Sequence, residues 1–141
     1  MGDRRQSREL ALQALFFFDM DKSDPKEALA QFCEANREKL TQGVRSFFSE
    51  LVDGVLENKS DIDGLINKYS KNWKVSRMPV VDRNIMRMAT FELLNRPDIP
   101  DTVTINEAVE IGKKFGTKDS GPFINGVLDR IKSCEGIKQP E

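Results

Sequence analysis

Apolar residues recur along the chain at spacings of three and four, in seven stretches set apart by polar or proline-bearing breaks. The first covers residues 4–20. It puts Leu10, Ala14 and Phe17 on one stripe, with Ala11, Leu15 and Phe18 beside it. Asp3 stands where an N-cap belongs, with Gln6 at the third helical position. The second begins at an Asp24 cap followed by Pro25 and Glu27, and carries Ala28, Leu29 and Phe32. The third, residues 41–58, turns Val44, Phe47, Phe48, Leu51, Val55 and Leu56 inward. The fourth starts at a Ser60 cap and carries Ile62, Leu65, Ile66 and Tyr69. A polar stretch over 70–77 and the pair Met78-Pro79 then break the pattern. The fifth, residues 80–95, is apolar over so broad a face that it reads as the central helix, and Pro97 and Pro100 end it. The sixth opens on the capping box Thr104 and Glu107 and closes at Gly116. The seventh begins at Asp119 or Ser120 and carries Phe123, Ile124, Val127, Leu128 and Ile131.

No stretch alternates with the period of a strand between hairpin turns. The pattern predicts an all-α fold of seven helices in two packed helical subdomains, residues 1–76 and 77–141, forming one domain. Hydrophobic residues make up 38% of the 141, enough for a core and too many for a disordered chain. No apolar run approaches the ~18 residues of a membrane span. The apolar stretch after the charged start is interrupted by Gln13 and ends at Asp19, which does not fit a secretory leader. The expected location is the cytoplasm, with Cys33 and Cys134 as reduced, buried small hydrophobes.

Histidine is absent, and with it the commonest general base and the commonest transition-metal ligand. There is no GxSxG, no CxxC, no metal-ligand cluster and no carboxylate pair to nominate for acid–base work. The expectation is a protein that is not an enzyme, with no catalytic residue, cofactor or metal. Net charge is −1, from 22 basic and 23 acidic residues. Bulk charge therefore does not draw this chain to nucleic acid, and any such contact is local and shared with a partner.

Four local features carry the candidate chemistry. Arg4, Arg5 and Arg8 sit at the start of the first helix, where the macrodipole makes a cation cost roughly 0.3–1 kcal/mol. They are either a solvated terminus offset by Asp3 and Glu9, or guanidinium forks for an anionic partner whose removal spares the fold. Lys68, Lys71, Lys74 and Arg77, followed by Arg83 and Arg87, form a second basic stretch. Its lysines make a ridge if the helix persists that far, and otherwise a solvated face. Phe16, Phe17 and Phe18 point about 100° apart, so two fit the core and at least one is left for the surface or a cleft, where a base can stack. Residues 113–123 join two helices and combine Lys113, Lys114 and Lys118 with two glycines and an aromatic. This is either an ordinary connection or an anion seat at a helix start.

Three stretches together resemble the NusB family of bacterial transcription antitermination factors. They are Arg4-Arg5-Gln6-Ser7-Arg8-Glu9 leading into Gln13-Ala14-Leu15; Asp82-Arg83-Asn84-Ile85-Met86-Arg87-Met88-Ala89 through Phe91-Glu92-Leu93; and Thr104-Ile105-Asn106-Glu107-Ala108-Val109-Glu110 through Lys114-Phe115-Gly116, Asp119-Ser120 and Phe123-Ile124-Asn125-Gly126-Val127-Leu128-Asp129. The resemblance covers essentially the whole chain in order. It implies two perpendicular helical bundles and binding of the boxA element in nascent RNA. It also implies a heterodimer with NusE, a small-subunit ribosomal protein, within an RNA polymerase complex that reads through terminators, notably in ribosomal RNA operons. A homodimer through the partner-facing surface is a further implied state. By the same resemblance Arg4, Arg5, Arg8, Phe16, Lys118, Asp119, Ser120 and Phe123 are RNA-binding positions, and Asp82 belongs to the NusE surface. Gln6 departs from a longer arginine run, and Phe16 stands where tyrosine is frequent. Two alternatives are a NusB-like domain of an RNA cytosine methyltransferase, though the chain has no cofactor-binding βα unit, and a helical protein-interaction module.

Overall fold

The computed structural model describes residues 2–20, 24–71 and 73–135. Among them are seven α-helices and no strand: α1 (Asp3–Met20), α2 (Pro25–Ala35), α3 (Gln42–Glu57), α4 (Lys59–Tyr69), α5 (Val80–Asn95), α6 (Asp101–Phe115) and α7 (Ser120–Glu135). A single 3-10 turn occupies Val75–Arg77. The chain divides into two compact units, Met1–Asp53 and Gly54–Glu141. The division falls inside α3, and the Met78-Pro79 break lies within the second unit.

In the first unit, α1 packs on α2, and Phe32 of α2 stacks on Phe48 of α3 with centroids 5.9 Å apart. Asp24 caps α2 as expected, accepting the Lys26 N–H at 3.1 Å ahead of Pro25. Asp3 lies inside α1 rather than before it, and the Gln6 N–H goes back to the Gly2 carbonyl. The expectation for the three phenylalanines is corrected. Phe16 and Phe17 are both exposed, at 39% and 38%, and only Phe18 is half-buried, its ring edge-on to Phe17. Cys33 is half-buried and Cys134 exposed, so neither is the core residue expected.

In the second unit, α5 packs against α4, α6 and α7 and is buried over most of its length, as its broad apolar face predicts. Gly54, in α3, is where the Phe91 ring of α5 rests; a β-carbon there would strike the ring, so this mid-helix glycine serves a close approach. Arg87 reaches Asp63 of α4 through two parallel bonds, Nε to Oδ1 at 2.8 Å and Nη2 to Oδ2 at 2.9 Å, and donates a third to Asn84 Oδ1. Arg87 is therefore an interior ion-pair partner and not part of a solvated basic face. Lys68 lies in α4, which ends at Tyr69, before Lys71 and Lys74, so the lysine ridge does not form. Two cap assignments also shift. Helix α4 starts at Lys59 rather than after Ser60, and α6 starts at Asp101 behind Pro100. Thr104 is thus helical, and its hydroxyl donates to Glu92 Oε1 of α5 at 3.1 Å.

Breaking the Arg87–Asp63 pair takes the Asp63 carboxylate from a buried guanidinium. Asp63 keeps some exposure to solvent, so Asp63→Ala is expected to destabilise the protein by about 2–4 kcal/mol, at or below the usual range for a buried pair. Urea unfolding of the variant checks this; a loss under half that size would mean the pair contributes no more than a surface bridge.

Candidate nucleic-acid interface

In the first unit the candidate residues occupy the opening turns of α1. Ser7 Oγ lies 2.7 Å from the Val44 carbonyl and 2.8 Å from that of Asp3, so its one proton ties the start of α1 to α3. Arg4 and Arg8, one turn apart on either side of Ser7, place their guanidinium groups 4.8 and 5.2 Å from the Phe47 ring centroid. Such contacts contribute about 0.5–1 kcal/mol when exposed and ~2 when desolvated, enough to offset the dipole penalty. Cations at the disfavoured helix end thus have an internal aromatic partner. Arg8 is buried, at 4% exposure, which corrects the expectation that removing all three arginines spares the fold. Arg4 is exposed and Arg5 half-buried. Phe16 stands on the same helix beyond the buried run that ends at Leu15.

In the second unit the remaining candidates gather between α6 and α7. Helix α6 closes at Gly116, whose N–H donates to the Gly112 carbonyl at 2.8 Å and whose backbone is extended. A β-carbon at Gly116 would strike Ser120 Oγ and come within 2.8 Å of the Gly112 oxygen, so the chain returns too closely for any side chain. Ser120 Oγ accepts the Thr117 N–H at 2.9 Å and donates to Asp82 Oδ1 at 2.7 Å. Both side chains are buried. Burial pushes the Asp82 carboxyl above its ordinary pKa, and the Ser120 hydrogen bond partly offsets the shift. Ser120 and Asp82, read from the sequence as contacts to two different partners, are brought together and bonded to each other.

Part of the expected anion seat is taken up from within. The N–H groups of Thr117, Asp119 and Ser120 go to Ser120 Oγ, Thr117 Oγ1 and the Thr117 carbonyl, and Pro122 has none. What the loop offers outward is the exposed side chains of Lys118 and Asp119. Beside them half-buried Phe123 leans on Trp73, with centroids 6.1 Å apart and planes at 52°. Trp73, Pro79, Asp82, Thr117, Asp119 and Phe123 line an open cleft of about 290 Å³. Trp73 is the residue that sequence reasoning missed. The available signal was a lone tryptophan within a polar stretch that no helical stripe could bury. Among the described residues no group of three or more His, Cys, Asp or Glu is placed to hold a metal, and no helix is long and apolar enough to cross a membrane.

Comparison with known proteins gives a consistent picture. The NusB family profile matches residues 5–133. The transcription antitermination protein NusB of Desulforapulum autotrophicum is 60% identical over 141 residues, covering 100% of this chain and 99% of its own. T. maritima NusB superposes with a TM-score of 0.82 at 39% identity, over 93% of this chain and 91% of that one. A chain in the crystal structure of antitermination factors NusB and NusE in complex with dsRNA superposes with a TM-score of 0.83 at 26% identity, over 94% of this chain and 98% of that one.

The Asp82–Ser120 bond has a testable sign. The folded pKa of Asp82 lies above the unfolded one, so ionised Asp82 costs the fold stability at neutral pH, and that cost is relieved as pH falls through the folded pKa. Asp82→Asn keeps an acceptor for Ser120 and removes the charge. Its stability relative to wild type is expected to be greatest at neutral pH and to shrink toward about pH 4. Asp82→Ala leaves the Ser120 proton without its acceptor and is expected to cost about 1–3 kcal/mol at neutral pH. Denaturant melts across this pH range check both; a difference for Asp82→Asn that does not change with pH would contradict the assignment.

Proposed function

The chain belongs to the NusB family, and on that premise we propose that it is a transcription antitermination factor. It binds boxA RNA together with NusE, without catalytic activity or cofactor, and within the cytoplasmic RNA polymerase complex it promotes read-through, notably of ribosomal RNA operons. One observation carries this reading: a 60% identical antitermination protein is matched over the whole of this chain.

Features of both units support that role. Arg4 and Arg5 hold RNA phosphates from the start of α1, while Arg8 keeps the helix seated on Phe47. Phe16 and Phe123 offer rings on which unstacked bases lie. At the loop tip Lys118 meets a phosphate and Asp119 accepts a hydrogen bond from a base amino group. Ser120 serves the RNA by shaping that loop, and Asp82 serves the NusE surface by holding the same loop from α5. A net charge of −1 gives little long-range pull on phosphate, which supports a surface completed by NusE.

Titration of boxA RNA with and without NusE tests this directly. NusE is expected to raise RNA affinity, and equal affinity in its absence would rule out the shared surface. Replacing Arg4 and Arg5 by alanine is expected to weaken binding and to lower the salt slope by roughly 0.7 for each phosphate that is no longer neutralised. Phe123→Ala is expected to weaken binding with little change in salt slope, and a thermal melt separates missing base stacking from a loosened α7.

A further inference from the structure

Six cations lie between Lys68 and Arg87, and the structure divides them into two sets. Lys68 pairs with Glu135 at 3.4 Å, Arg83 donates to the carbonyls of Val75 and Ser76, and Arg87 is taken up by Asp63. Lys71, Lys74 and Arg77 have no carboxylate partner among the described residues. Together with Asn67, Ser70 and Trp73 these three line an open cleft of about 570 Å³, with no carboxylate in its lining among the described residues. Its backbone is held by side chains. Ser70 Oγ donates to the Trp73 carbonyl at 2.9 Å, and Asn67 Oδ1 accepts the Val75 N–H at 2.8 Å. Arg130 Nε donates to the Tyr69 carbonyl at 2.8 Å, and the Tyr69 hydroxyl donates to Glu135. The indole is therefore presented from a fixed frame at 48% exposure, with one side toward Phe123.

An exposed tryptophan face next to three uncommitted cations is the pairing that single-stranded nucleic acid uses: a π-surface for a base and charge for its backbone. We propose that this cleft is a second single-stranded RNA subsite, in which Trp73 stacks the base next to the one on Phe123 while Lys71, Lys74 and Arg77 hold the flanking phosphates. An acidic peptide would satisfy the cations and leave the indole face unused; RNA uses both. The inference rests on the RNA-binding reading above and extends it to nucleotides beyond those that the α6–α7 loop and Phe123 engage.

The test compares boxA RNA with the same RNA lengthened by several uridines at either end, on the full chain with NusE present. Wild type is expected to bind one lengthened RNA more tightly. Trp73→Ala is expected to remove that gain, about 5- to 150-fold for one stacked base, so that the variant binds the lengthened and the short RNA alike. Trp73→Phe is expected to restore part of it. Changing Lys71, Lys74 and Arg77 to alanine is expected to lower the salt slope for the lengthened RNA by roughly 2, at ~0.7 per phosphate. If the short RNA does not bind wild type at all, the functional reading falls and this inference with it. If the short RNA binds and lengthening adds nothing, or Trp73→Ala keeps the gain, the inference alone is overturned. A loss confined to NusE affinity would assign the cleft to a protein partner and overturn the RNA subsite as well.

Discussion

A helix buried on nearly every side must find a partner for each charged side chain it carries, because an unmet charge in the interior costs more than the surrounding packing returns. Helix α5 is under that constraint, and its solution organises the second unit. Arg87 is answered by Asp63 on α4, Glu92 by Thr104 on α6, and Asp82 by Ser120 at the start of α7. Each neighbouring helix is tied to the central one through a different polar pair, within an apolar setting supplied by Ile62, Ile85, Ile111 and Leu128. Apolar packing tolerates sliding, whereas a hydrogen bond with a defined partner does not. These pairs therefore set the register that the hydrophobic faces leave loose.

The third of these pairs reaches furthest toward function. Because Ser120 is held by Asp82, its hydroxyl is in place to receive the Thr117 N–H. The chain can then fold back over Gly116, where no side chain fits. That return leaves Lys118 and Asp119 outward and sets Phe123, on the first turn of α7, against Trp73. A buried carboxylate thus determines which side chains the loop presents to solvent. In the first unit, Phe47 plays a comparable part by receiving two cations that a helix start would otherwise disfavour.

A nearly neutral protein can still present positive surface if its cations are sorted. Arg87, Arg83 and Lys68 are spent on Asp63, backbone carbonyls and Glu135. The bond from Tyr69, with help from Lys68, holds the Glu135 carboxyl below its ordinary pKa against partial desolvation, so it stays a charged anchor for the end of α4 at neutral pH. Lys71, Lys74 and Arg77 keep their charge for the solvent side. Overall charge counts both sets alike, which is why it is a poor guide to what the surface attracts.

The seven helices, the central place of α5 and the Asp24–Pro25 start of α2 were legible in the sequence. Each rests on a local rule, the 3.6-residue period or the geometry of a cap, which neighbouring residues satisfy among themselves. The arginine start, the Lys118–Asp119 tip and Phe123 were legible as residues worth testing, because their types and spacing are themselves the signal. Their surroundings were not legible. That Arg8 lies under cover on Phe47, that Ser120 and Asp82 meet, that Thr104 faces Glu92 instead of capping α6, and that Trp73 stands beside Phe123 all depend on residues 12 to 50 positions apart. No local period encodes such a meeting. It is decided when the helices pack and the buried charges are matched to whichever partners the packing brings within reach.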